Sequence, residues 1–162
     1  MNIDITRVDY RNPTHAAALV LVLDAYARDA MGGSHPLEEH TKRDLAEALA
    51  IRPHAFSVLA FDGDLPVGLI NCFEGFSTFA CKPLVNIHDV AVMPEYRGRG
   101  IAQLMMAEVE RIAQERGCCK LTLEVLSGNT AAQALYGKLG FGGYKLGETS
   151  GAAQFLQKKL PM

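Results

Sequence analysis

Residues 85–113 read VNIHDVAVMPEYRGRGIAQLMMAEVERIA, and this stretch decides how the rest of the chain is arranged. Its first part is apolar and β-branched, with polar interruptions at Asn86, His88 and Asp89, which is the pattern of a strand. Pro94 ends that strand, because proline cannot donate to a ladder. Arg97, Gly98, Arg99 and Gly100 then make a tight loop, and Ile101 opens a helix expected to reach Arg116. Ile101, Leu104, Met105, Val109 and Ile112 form its apolar stripe, and Gly117 is a natural C-cap. A strand that feeds such a loop and a helix N-terminus can grip phosphate. Successive backbone N–H groups point outward, and the helix dipole adds partial positive charge at the same place. The glycines permit close approach of a ligand, and Ala102 keeps the first helical turn small. The alternative for these residues is an ordinary strand-to-helix turn with two exposed arginines. The loop lacks the Lys-Ser/Thr of a P-loop and the G-x-G-x-x-G spacing of a dinucleotide fold, so nucleotide hydrolysis and dinucleotide redox chemistry are disfavoured.

Outward from this centre, the chain has the length of one domain, and residues 1–162 are expected to form a single one. Hydrophobic residues make up 49% and charged residues 21%, a globular balance. A net charge of -2 argues against nucleic acid or an anionic membrane as partner. The apolar run LVLVLDAYARDAM is broken by Asp24, Arg28 and Asp29, so no membrane span is expected. The opening MNIDITRVDYRN has no signal-peptide core, and a cytoplasmic location is the expectation. Cys72, Cys81, Cys118 and Cys119 show no CxxC spacing and read as free thiols, with no metal site.

Before the central stretch, Asp4–Val8 reads as an edge-like strand. His15–Ala30 and Pro36–Ile51 read as helices, the first carrying Leu19, Leu23 and Tyr26 at helical spacing. Phe56–Phe61 and Pro66–Phe73 read as a hairpin about Asp62-Gly63-Asp64. Gly75–Pro83 is a loop or frayed strand pair, and Leu84–Met93 is the strand already described. After the central helix come a strand at Lys120–Leu126, a helix at Thr130–Leu139, and strands at Phe141–Leu146 and Ala153–Lys159. The order β α α β β β α β α β β is α/β with a mixed sheet, since a strand–helix–strand unit implies a parallel pair.

Two signatures now stand in sequence. Arg97, Gly100 and Ala102 satisfy R/Q-x-x-G-x-G/A, and the strand KLTLEVL is followed by Asn129, Leu135, Tyr136 and Gly140-Phe141 in the order V-L-x-x-N-x-x-A-x-x-L-Y-x-K-x-G-F. At these residues the chain resembles the GCN5-related N-acetyltransferase superfamily, most strongly over 84–146. The resemblance implies the acyl-CoA N-acyltransferase fold, a central mixed sheet of about six or seven strands flanked by helices. It implies acetyl-CoA as cofactor, its pyrophosphate held by Arg97, Gly98, Arg99, Gly100, Ile101 and Ala102. The pantetheine arm would lie along Val90, Ala91 and Val92, where two parallel strands splay. Asn129 would bond the arm, with Ala132 and Lys138 at its rim. Tyr136 would line the same site and protonate the leaving thiolate, and the Val90 N–H would hold the oxyanion.

An ammonium must lose a proton before it attacks a thioester, and the candidate bases are Asn86, His88 and Asp89. Asn86 has no basic atom, so His88 is preferred, directly or through water; the alternative is a histidine satisfied by core hydrogen bonds. Alternation puts Asn86, His88 and Val90 on one face and Ile87 and Asp89 on the other, unless a bulge shifts the register. Asp89 reads as a structural partner of backbone or arginine. The run from Phe76 to Gly98 looks like the diamine acetyltransferase branch, in which a homodimer is common. That branch has Glu-Asp where this chain has His88-Asp89, which counts against a polyamine. The expected reaction is direct transfer to the primary amine of a small molecule. The alternatives are a non-catalytic acyl-CoA sensor and acetylation of a protein N-terminus.

Overall fold

The computed structural model describes residues 1–143 and 147–162. They pack as two compact units, Met1–Leu123 and Glu124–Met162. The first holds β1 (Ile3–Arg7), α1 (Pro13–Arg28), α2 (Glu39–Ala50), β2 (Ala55–Asp62), β3 (Leu65–Ser77), β4 (Lys82–Val92), α3 (Ile101–Glu115) and β5 (Leu121–Leu123); the second holds α4 (Thr130–Lys138). No helix among the described residues is long and apolar enough to cross a membrane.

The sheet has five strands in the order β1-β2-β3-β4-β5, among the described residues. Neighbours are antiparallel except β4 and β5, which are parallel, as a strand–helix–strand unit requires. The expected six or seven strands are therefore corrected to five. Residues 141–143 are irregular, residues 144–146 of the expected strand Phe141–Leu146 lie outside the described residues, and residues 153–159 carry no ladder. Those last residues are exposed throughout, so their alternation has no buried face to set a register. The strand expected over 120–126 shortens to β5, in which Leu121–Leu123 pair with Val85–Ile87.

Local chemistry explains the helices. Pro13 sits in the first turn of α1, and the Asn12 side chain accepts from the N–H groups of Thr14 and His15. One face of the sheet receives α1 and α2, where Leu19, Val22 and Leu49 pack with Leu59, Leu69 and Ala91. The other receives α3 through Ile101, Met105, Met106, Val109, Ile112 and Ala113. Leu104, expected in that stripe, is exposed instead. Burying each such side chain contributes about 1.5–3 kcal/mol. Met105 approaches so closely that a Cβ on Gly68 would lie 2.8 Å from its Cε, which accounts for a glycine inside a buried strand.

Candidate active site

The strand β4 carries the site, and its pairing with β3 decides which side chains share a face. Asn71 stands opposite Asp89 and Cys72 opposite Ile87, so His88 is an extra residue with no partner. This is a β-bulge, and it shifts the alternation by one. Asn86, opposite Phe73, Asp89, opposite Asn71, and Ala91, opposite Leu69, consequently lie on the α1–α2 face. Ile87 and Val90 lie on the α3 face. The plain alternation of the sequence, with Asp89 across the sheet from Asn86 and Val90 beside it, is corrected accordingly.

A cavity of about 370 Å³ opens on the α1–α2 face. Its walls are Leu23 and Ala27 of α1 and Leu37, Leu45 and Leu49 on the α2 side. Phe73, Asn71, His88 and Asp89 form its floor, and Tyr26 lines it as well. The His88 ring stands edge-on to Phe73, with centroids 5.6 Å apart. Burial raises the phenol pKa of Tyr26, and the charges of Asp89 and Asp29 raise it further. Asp89, expected to serve backbone or an arginine, instead accepts from Asn71 Nδ2 at 3.0 Å.

A hydrogen-bonded chain runs away from that carboxylate. Ser57 Oγ donates to Asn71 Oδ1 at 2.6 Å, and Tyr10 Oη lies 2.8 Å from Ser57 Oγ. An ionised Asp89 only accepts, so the Asn71 amide must face it with its nitrogen. Ser57 then has to donate to Asn71, and Tyr10 to Ser57. The charge at one end sets the direction of all three bonds. Ser57 and Asn71 are almost wholly buried, so the chain also satisfies polar groups that would otherwise be costly.

Beyond the bulge, the outer edge of β4 has no strand partner among the described residues. β5 covers Val85–Ile87, and no β5 residue stands opposite residues 88–92. Asn86 Nδ2 donates to Thr122 Oγ1 at 3.0 Å, tying the two strands at the last paired turn. Met93 donates its N–H to Val67 on β3, while the carbonyl of Val92 accepts from Arg97 Nε on the opposite side. Backbone alternation therefore turns the N–H groups of Val90 and Val92 to the open edge, and those of Ala91 toward β3.

The loop after β4 has the conformation a phosphate grip needs. Gly98 and Gly100 have φ of +75° and +80°, the left-handed region that disfavours a Cβ. A Cβ on Gly98 would meet nothing within 4 Å, so the glycine serves backbone conformation and the space above it is open. No side chain caps α3, and among the described residues no acceptor meets the N–H groups of Gly98, Arg99, Gly100, Ile101 and Ala102. Unsatisfied donors at a helix start are an anion site. The arginines are engaged elsewhere. Arg97 pairs with Asp29 at 2.9 Å, and Arg99 lies over the Tyr96 ring, 5.2 Å from its centroid. Tyr96 in turn donates to Asp62 at 2.9 Å.

The remaining expected residues belong to the second unit. Asn129 accepts from Ala132 N–H at 3.1 Å and caps α4. Tyr136 is buried on α4, edge-on to Phe141 at 5.9 Å, and Lys138 ends that helix. Two further ionisable residues, Glu74 and His35, lie outside the cavity lining. Glu74 is held by Arg116 and by His54, and His35 bonds the carbonyl of Gly33. The sequence reading overlooked Tyr26 and Asn71 as cavity groups and gave Asp89, one of its candidate bases, a structural role. The one signal for Asn71 and Asp89 was polar residues interrupting otherwise apolar strands, and Tyr26 showed only its helical spacing on α1.

The chain is similar to known proteins. The family model "Acetyltransferase (GNAT) family" matches residues 10–141. Thialysine N-epsilon-acetyltransferase of Bos taurus is 41% identical over 78 residues, 48% of this chain and 45% of that protein. Streptothricin acetyltransferase of Streptomyces lavendulae is 34% identical over 98 residues, 60% of this chain and 49% of that protein. The chain thus spans about half the length of the curated relatives it matches. The solved structure of AAC(6')-Iy in complex with the bisubstrate analog CoA-S-monomethyl-acetylneamine superposes with a TM-score of 0.73 at 22% identity, covering 99% of this chain and 100% of that one. At that identity the likeness concerns the fold. With the family model covering most of the length, the chain belongs to the acetyltransferase (GNAT) family.

Proposed function

We propose that this protein is an N-acetyltransferase that moves the acetyl group of acetyl-CoA to the primary amine of a small molecule. The observation that carries the reading is the unpaired outer edge of β4, which leads through the loop of residues 97–100 to the uncapped N-terminus of α3. The donors of residues 98–102 suit a pyrophosphate, and the strand edge at Val90–Val92 suits the amide-bearing arm. Acetyl-CoA supplies the activated acetyl thioester. Everything else falls to the residues of the chain and to the amine.

The amine enters as an ammonium and loses a proton to His88, directly or through water. Its nitrogen bonds to the acetyl carbon while the carbon–sulfur bond breaks, and CoA departs as a thiolate. The second nitrogen proton passes to solvent, from which the Tyr136 phenolate is restored after it has protonated the sulfur. The N–H of Val90 steadies the negative charge on the acetyl oxygen. Tyr136 gives its proton to the sulfur, and Asn129, Ala132 and Lys138 attend the cofactor arm; these roles rest on the family resemblance. The names of the curated relatives, which describe acetyltransferases, support the same chemistry.

Isothermal titration with acetyl-CoA, followed by thiol release across a panel of amines, tests the proposal. Binding with amine-dependent release of CoA is expected. Absence of acetyl-CoA binding overturns it, and binding without turnover of any amine leaves a non-catalytic sensor instead.

A further inference from the structure

The cavity beside β4 carries more than a generic acceptor site. Asp89 is the one acidic side chain among its lining residues, and Asn71 holds that carboxylate on the floor. The walls offer Leu23, Ala27, Leu37, Leu45, Leu49 and Phe73. Neighbouring carboxylates are committed elsewhere. Asp24 takes Arg28, Lys42 and the N–H of Leu37; Asp29 takes Arg97 and the N–H of Met31; Glu74 takes Arg116. A ligand carrying one ammonium and an apolar body would find a partner for each part. A second ammonium would be stripped of water against leucine side chains with no counter-charge, which is costly.

The geometry points to a compact apolar monoamine as acceptor, its ammonium seated on Asp89 and its hydrocarbon body between α1 and α2. This rests on the acetyltransferase reading above and narrows it to a substrate class. The volume is of the size that holds a small organic molecule. The bulge is what makes the arrangement work. It brings Asp89 to the cavity face and leaves His88 beside it, so one residue holds the ammonium while its neighbour takes the proton. The chain from Tyr10 through Ser57 and Asn71 fixes the carboxylate without spending its second oxygen on a protein cation.

The test compares n-pentylamine with 1,4-diaminobutane, which has the same number of heavy atoms and replaces a terminal methyl by an ammonium. Acetyl-CoA-dependent thiol release is expected with a kcat/KM for pentylamine at least tenfold above that for diaminobutane. In the Asp89→Asn variant, which keeps an acceptor for Asn71, the KM for pentylamine should rise at least tenfold while acetyl-CoA binding by calorimetry is retained. Equal or better use of diaminobutane overturns the inference, as does an unchanged KM in the variant. Acetyl-CoA binding with neither amine acetylated overturns it while sparing the cofactor reading. Failure of the unmodified protein to bind acetyl-CoA removes that reading and the inference together.

Discussion

Asn71 donates from Nδ2 to the carboxylate of Asp89 at 3.0 Å, across a strand pair whose register is offset by the unpaired His88. Through this bond a buried amide on β3 sets the position of a charge on β4. Replacing Asn71 by Leu leaves the Ser57 hydroxyl and one Asp89 oxygen without their partner. A loss of about 1–3 kcal/mol in unfolding free energy is expected, read by urea denaturation. The Tyr10→Phe variant, at the far end of the same chain, should lose less, about 0.5–1.5 kcal/mol, because Ser57 keeps its bond to Asn71.

Gly98 and Gly100 test the loop. Alanine at either position is forced into the left-handed region at φ of +75° or +80° and should cost about 1–2 kcal/mol of stability. The same changes should weaken acetyl-CoA binding measured by calorimetry, since the added Cβ at Gly98 enters open space above the loop. Unchanged affinity in both variants would remove the loop from the cofactor site.

Tyr136 separates binding from chemistry. With phenylalanine there, acetyl-CoA affinity should stay within a factor of about two, while turnover falls about 10²–10⁴-fold, the usual contribution of a positioned acid. A variant that turns over at the parental rate assigns protonation of the sulfur to water or another group.

Cys72 governs the alkaline side of stability. Burial drives its thiol pKa well above the ordinary value near 8.5. Above roughly pH 8.5 the unfolded chain therefore releases this proton while the folded chain keeps it. The unfolded state binds fewer protons, so the stability contribution is complete below that pH and is lost as pH rises toward the folded pKa. Urea midpoints between pH 8 and 10 should decline with pH, and the Cys72→Ala variant should show a shallower decline from a lower starting stability.

Much of the fold was legible because its signals are local. The 3.6-residue spacing of Ile101, Met105, Val109 and Ile112 identified α3, and Asp62-Gly63-Asp64 marked the turn between β2 and β3. Glycines at 98 and 100 marked a tight loop, and the structure gives both a left-handed backbone. The strand expected over 153–159 was misread because those residues have no buried face behind them. Arg97 was placed in the cofactor loop by its position in the motif, and the sequence could not show what its side chain meets. Its guanidinium meets Asp29, a residue distant in the chain that no local pattern could connect to it.

The sequence by itself determined the strand–loop–helix at residues 85–113, the order of elements through α4 and the family to which the chain belongs. Each depends on interactions within a turn or two, or on a motif of fixed spacing. Only the tertiary structure decided which side chains share the cavity. The face that a strand residue occupies depends on its partner strand, and the mismatch of Asn71 and Cys72 with Asp89 and Ile87 leaves His88 unpaired. That one extra residue turns Asp89 toward the α1–α2 face, where periodicity alone had placed it behind the sheet.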